Sequence, residues 1–103
     1  MLPDVIESFT PDGIVVQVAG GGRIEINYRD LIRVTIDTTD EGPWLPDCFW
    51  YLTTKNHSVS IENNDPFIQV LLAKLQKLPG FKSELVVKAM ASTEINSFIV
   101  WEQ

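Results

Sequence analysis

The sequence holds a single cysteine, Cys48, which excludes an intramolecular disulfide and a zinc site built on several thiolates. It holds a single histidine, His57, so any catalytic dyad or triad with an imidazole base must be built around that residue. Basic residues are scarce: eight Lys and Arg against fourteen Asp and Glu leave a net charge of −6. Phosphate contacts are made by Lys and Arg, so this balance argues against a nucleic-acid binder. Long apolar runs are missing as well. Uninterrupted stretches such as Val70-Leu71-Leu72-Ala73 and Phe98-Ile99-Val100-Trp101 have four residues and none exceeds five, where a transmembrane helix needs about 20. The opening residues MLPDVIESFTPDG carry three acids and no Lys or Arg, unlike a signal peptide. These absences lead to the expectation of a cytoplasmic protein that takes no part in a membrane.

No stretch reads as a linker, a low-complexity tract or an internal repeat, so residues 1–103 are expected to form a single domain. The charge is uneven. Residues 1–65 hold eleven acids and four bases, net −7, whereas residues 66–103 hold three acids and four bases, net +1.

The acidic portion has the period of β-structure. Ile14, Val16 and Val18 alternate with Val15, Gln17 and Ala19; after Gly20-Gly21-Gly22, Ile24, Ile26 and Tyr28 alternate with Arg23, Glu25 and Asn27. Two such runs around a glycine cluster predict a hairpin, because glycine supplies the positive φ of a tight turn. A third strand is expected with Ile32, Val34 and Ile36 inward. A fourth is expected over about Asp47 to Thr54 and a fifth over about His57 to Glu62, joined by a Lys55-Asn56 turn. The period then changes. Asp65-Pro66 is a helix start, and Phe67, Ile68, Leu71, Leu72, Leu75 and Leu78 fall on one helical face before Pro79-Gly80. A second helix from about Ser83 to Ala91 places Leu85, Val86, Ala89 and Met90 together. The apolar stretch Ile95 to Trp101 reads as a final strand, central or well covered. The order βββββααβ implies an α+β fold with a largely antiparallel sheet. Either a pleckstrin-homology-like partly closed sheet or an open sheet with the two C-terminal helices on one face satisfies it.

Chemistry-bearing patterns are few. The Gly20-Gly21-Gly22 run leads into a strand, not a helix, and so lacks the helix N-terminus of a phosphate loop. Cys48 and His57 lie on either side of the predicted β-turn, roughly 20 Å apart at about 3.4 Å per residue, too far for a thiol–imidazole pair. No G-x-S-x-G elbow is present. Asp37 to Asp47 as a calcium loop fails at its twelfth position, which is Cys48 in place of a bidentate Glu. No catalytic group, metal or cofactor is therefore expected.

The same acidic stretch is the strongest interaction candidate. Asp37, Asp40, Glu41 and Asp47 surround Trp44, and Pro43 and Pro46 stiffen the segment. A rigid aromatic ringed by carboxylates has the composition of a hot spot for a basic partner. The bland alternative folds Trp44 over the end of the sheet and leaves the acids solvated. Trp50 and Trp101 are expected in the core, and of Phe49 and Trp50 one must face inward and the other away.

The motifs Asp47-x-Phe49-Trp50-x-Leu52, Leu78-Pro79-Gly80-Phe81, Ala89-Met90 and Phe98-x-x-Trp101 resemble a group of small uncharacterised bacterial proteins, some of them suspected immunity proteins of toxin systems. The resemblance spans roughly residues 30–102 and rests on aromatics and a helix joint, so it speaks to fold. It carries no catalytic residues. Where an acid would cap the second helix, this chain has Lys82, so the cap falls to Ser83 or is absent. The resemblance implies an immunity-type module, and the net −7 of residues 1–65, concentrated near Trp44, points to a basic protein such as a toxin as its partner. The alternative is a small-ligand or peptide-binding module with a pocket between sheet and helices lined by Trp50 or Trp101. The sequence leaves open whether the chain is a monomer or a homodimer.

Overall fold

The computed structural model describes residues 4–39, 48–92 and 94–103. The described elements are β1 (Val5–Thr10), β2 (Gly13–Gln17), β3 (Arg23–Asn27), β4 (Leu31–Thr38), β5 (Cys48–Thr54), β6 (Ser58–Glu62), α1 (Ile68–Leu75), α2 (Ser83–Ala91) and β7 (Asn96–Glu102). A short 3₁₀ turn, Tyr28–Asp30, joins β3 to β4. The fold is α+β with two antiparallel sheets, three strands in the order β1-β2-β3 and four in the order β6-β5-β4-β7.

The observed order is ββββββααβ, one strand more than the alternation predicts. The additional strand is β1. Its pairing with β2 shifts register between Ile6 and Ser8, and such a bulge breaks the two-residue period. Its core-directed residues, Ile6 and Phe9, are consequently three apart instead of two. The β2–β3 hairpin forms as expected, with Gly21 and Gly22 at φ 98° and 86°. Gly13 has a separate requirement: a Cβ there would stand 1.9 Å from the Ile26 carbonyl oxygen on β3. A second register shift, between Leu31 and Arg33, corrects the inward set of β4. Leu31, Val34, Ile36 and Thr38 are buried, and Ile32 is only half-buried.

Two carboxylates stitch the sheets together. Asp4 makes an isolated parallel bridge with Ile61. Its amide donates to the Ser60 carbonyl at 3.0 Å, and its carboxylate accepts the amides of Ser60 and Ala19, both at 2.9 Å. Buried Asp65 accepts the Ile6 amide at 3.2 Å and the Phe67 amide at 2.9 Å. Asp65 thus satisfies a free amide before α1, as a capping residue should, although the helix begins later, at Ile68. On α2 no side chain caps the N-terminus.

The core lies between the sheets and the helices. Ile6, Ile14, Val16 and Ile26 from the smaller sheet meet Val34, Ile36, Trp50, Leu52, Val59 and Ile61 from the larger one. Ile68, Leu71 and Leu75 of α1 and Val86 and Ala89 of α2 complete it. Phe67 and Met90, expected on the buried helix faces, are 41% and 43% exposed. The final strand is not central. β7 is an edge strand that buries Val100 and Trp101 and leaves Ile99 exposed, as is Ile95 just before it.

Candidate functional site

The larger sheet has one face on the core and one open face, and strict alternation on β5 separates them. Cys48, Trp50 and Leu52 point inward and are buried; Phe49, Tyr51 and Thr53 point outward and are half-buried. The register aligns three rows across the open face. Glu62, Phe49, Asp37 and Ser97 form the first; Ser60, Tyr51, Thr35 and Ile99 the second; Ser58, Thr53, Arg33 and Glu102 the third. The aromatic and aliphatic side chains Phe49, Tyr51 and Ile99 thus occupy neighbouring positions, flanked by carboxylates. A shallow groove of about 320 Å³ crosses this face beside Arg33, Thr35, Asp37, Tyr51, Ser97 and Ile99.

The electrostatics of the face are acidic. Arg33 is neutralised by Glu102 at 2.9 Å, so the charges left over are Asp37 and Glu62. Asp37 accepts a 2.6 Å hydrogen bond from the Ser97 hydroxyl through one carboxylate oxygen, and its second oxygen has no hydrogen-bond partner among the described residues. The Tyr51 hydroxyl also has none, which leaves it able to donate or accept.

Of the expected interaction residues, Asp37 lies on this face. Asp40, Glu41, Trp44 and Asp47 fall outside the described residues. The two ends of that segment are described: Thr38 and Cys48 are register partners, so the chain leaves and re-enters the sheet at the end where Asp37, Phe49 and Ser97 sit. Sequence reasoning left Phe49 with two possible surroundings and did not single out Tyr51 or Ile99. The signal was present, since a buried Trp50 forces Phe49 and Tyr51 to the opposite side.

The other candidates resolve as structural. Trp50 is 1% exposed and donates its indole N–H to Asn63 at 3.0 Å; the buried Trp101 donates to the Pro79 carbonyl at 2.9 Å. Both indoles are spent in the core, so a pocket lined by either is corrected: neither is open to a ligand. Cys48 is buried at the start of β5, and His57 is exposed beyond its other end, where its carbonyl accepts the Thr54 amide. No group of three or more His, Cys, Asp or Glu able to hold a metal occurs among the described residues. No helix among them is long and apolar enough to cross a membrane.

A second cleft, of about 500 Å³, opens between the 3₁₀ turn and the β5–β6 turn. Glu25, Arg29, Asp30, Lys55, His57 and Gln103 line it, and none of these side chains has an ion-pair or hydrogen-bond partner among the described residues. Nearby Tyr28 keeps its hydroxyl buried without a partner, and burial raises its pKa above the usual 10.0.

No family model matches this chain, and no match is found among curated proteins or solved structures.

Proposed function

We propose that the chain is a protein-interaction module of the immunity type, which binds a basic protein through the open face of its larger sheet. The observation that carries this reading is the juxtaposition of half-buried Phe49 and Tyr51 and exposed Ile99 with the uncompensated carboxylates Asp37 and Glu62. An apolar centre supplies the contact area, and a rim of one charge steers a partner of the other. Asp40, Glu41, Trp44 and Asp47, which lie between Thr38 and Cys48 in sequence, belong to the proposal as further contact residues. A cytoplasmic bacterial setting and a basic partner such as a toxin belong to the proposal. So does a pleckstrin-homology-like partial closure, for which the Asp4–Ile61 seam between the sheets is the support.

The test is co-purification with the products of neighbouring genes, with complex formation measured at low and high salt. Binding should weaken steeply as salt screens the carboxylates and should be lost in the Asp37→Asn/Tyr51→Ala double variant. The reading fails if binding survives both that variant and the triple change Asp40→Asn/Glu41→Gln/Trp44→Ala.

A second reading, a small-ligand module, moves from the tryptophans to the 500 Å³ cleft, because its charged groups of both signs stand unpaired. A ligand there should shift the His57 ring resonances and leave those of Tyr51 unchanged.

A further inference from the structure

Four large hydrophobic side chains are exposed within one contiguous stretch of the chain: Val87 (68%), Met90 (43%), Ile95 (72%) and Ile99 (43%). They belong to α2, to β7 and to the loop between them. α2 packs on β7 and β4 at the margin of the larger sheet. Its buried positions are Val86 and Ala89. On one flank of that buried line Leu85 packs against the core; at about 100° per residue, Met90 and Val87 occupy the other flank. That flank is exposed, and α2 itself packs on β7, the last strand of the sheet.

That edge differs from the others. The outer side of β6 is occupied by Asp4, which bonds both the amide and the carbonyl of Ser60. The free strand β3 carries Arg23 and Glu25, and charge guards an edge against pairing. The C-terminal half of β7 is covered by the joint between the helices, where the Lys82 amide donates to the Val100 carbonyl at 2.8 Å. Asn96, Ser97, Phe98 and Ile99 have no such cover among the described residues. They include no charge and no proline.

We infer that this margin is a two-fold interface with a second copy of the chain. β7 pairs antiparallel with its own copy over Ser97–Ile99, and the two α2 helices meet above that seam through Val87 and Met90. Three features favour a second copy over a different protein. An antiparallel edge brought against itself about Phe98 sets Ser97 opposite Ile99 and Phe98 opposite its own copy, which keeps each side chain on its own face of the sheet, so no like charges face each other. Residues 66–103 are near neutral, +1 against −7 for the rest, so self-association here meets little of the repulsion that the acidic portion would impose. On α2, Glu84 and Lys88 lie on the exposed side around Val87, and opposite signs one turn apart are complementary to their own antiparallel copy. In the resulting eight-stranded sheet the acidic open faces of the two copies become continuous. The interface shares Ser97 and Ile99 with the open face, but Val87 and Met90 lie on α2 and Tyr51 on β5, so variants at those positions test the dimer and the partner site separately.

The experiment is sedimentation of the full chain over a range of concentrations. A species of twice 11.6 kDa is expected, and a chain that stays monomeric at 100 µM (about the concentration where weak dimers show) overturns the inference. Val87→Glu/Met90→Glu buries charge at the seam and should weaken the dimer about 100-fold; an unchanged dimer would place the interface elsewhere and overturn it. Val87→Cys supplies a control that leaves the helix intact. Mild oxidation should link two copies through position 87, and failure to cross-link in a chain that is dimeric by sedimentation also counts against it.

Discussion

The two faces of β5 are made by adjacent residues and have opposite duties. Trp50 fills the core with its indole N–H satisfied by Asn63. Tyr51, one residue later, lies half-open with a hydroxyl that bonds nothing described. The strand backbone is shared, so the difference is purely one of side-chain direction. It shows that this strand gives its buried packing to one side of the sheet and leaves the other side half-exposed, the side proposed to meet a partner. The comparison extends to the carboxylates. Asp65 and Asp4 are tied to backbone amides of distant strands, whereas Asp37 bonds one serine hydroxyl at the surface. An acid excess that looks uniform in composition thus has a structural part and a surface part.

The comparison breaks most readily at Trp50. Trp50→Ala removes the largest fully buried side chain and strands the Asn63 acceptor, and should cost about 3–5 kcal/mol in urea unfolding. Tyr51→Ala on the neighbouring position should cost less than about 1 kcal/mol while abolishing partner binding. If the two losses are equal, the open face is not open in solution. Next in size is Asp65→Ala, which leaves the Ile6 and Phe67 amides without their acceptor and should cost about 2–3 kcal/mol. Asp37→Ala should stay within about 0.5 kcal/mol.

Much of the larger sheet was legible because its alternation is regular: the fourth and fifth predicted strands match β5 and β6 to within a residue. The smaller sheet was legible only where no bulge intervened. β1 was hidden by the three-residue spacing of Ile6 and Phe9, although Thr10-Pro11-Asp12-Gly13 is a turn signal that could have pointed to a strand before it. The roles of Asp4 and Asp65 could not be read at all. Their acceptors bind amides 56 and 59 residues away, and no local pattern reports such a contact. Edge position stayed open for β7, because a run of apolar residues looks the same whether a second strand or a helix joint covers it. At the candidate site, Asp37 was read correctly as outward-facing, and its neighbours Tyr51 and Ile99 were missed because they come together only through the register of three strands.

A smaller effect is expected at Tyr28, at the join between the two sheets. Its hydroxyl is buried and has no partner, so Tyr28→Phe should stabilise the chain by up to about 1 kcal/mol. The pH dependence has a definite sign. Burial raises the folded pKa of Tyr28 above 10.0, so the unfolded chain loses this proton first. Stability is unaffected by the group below that value and falls as pH rises through it. The phenylalanine variant should lose less stability between pH 9 and about 11 than the parent does.

The smallest effect should come from the most visible interaction on the open face. Arg33 and Glu102 form a 2.9 Å ion pair whose side chains are 48% and 51% exposed. Water screens such a pair, and ordering two long side chains opposes it, so Arg33→Ala should change stability by roughly 0.2–0.5 kcal/mol. Its effect on binding runs the other way. Removing the guanidinium frees Glu102 and makes the face more negative, so association with a basic partner should quicken at low salt and match the parent at high salt. A stopped-flow comparison at two salt concentrations measures both limits. If Arg33→Ala slows association instead, the face is selecting for something other than positive charge, and the division between a stabilising inner side and an acidic recognising outer side does not hold.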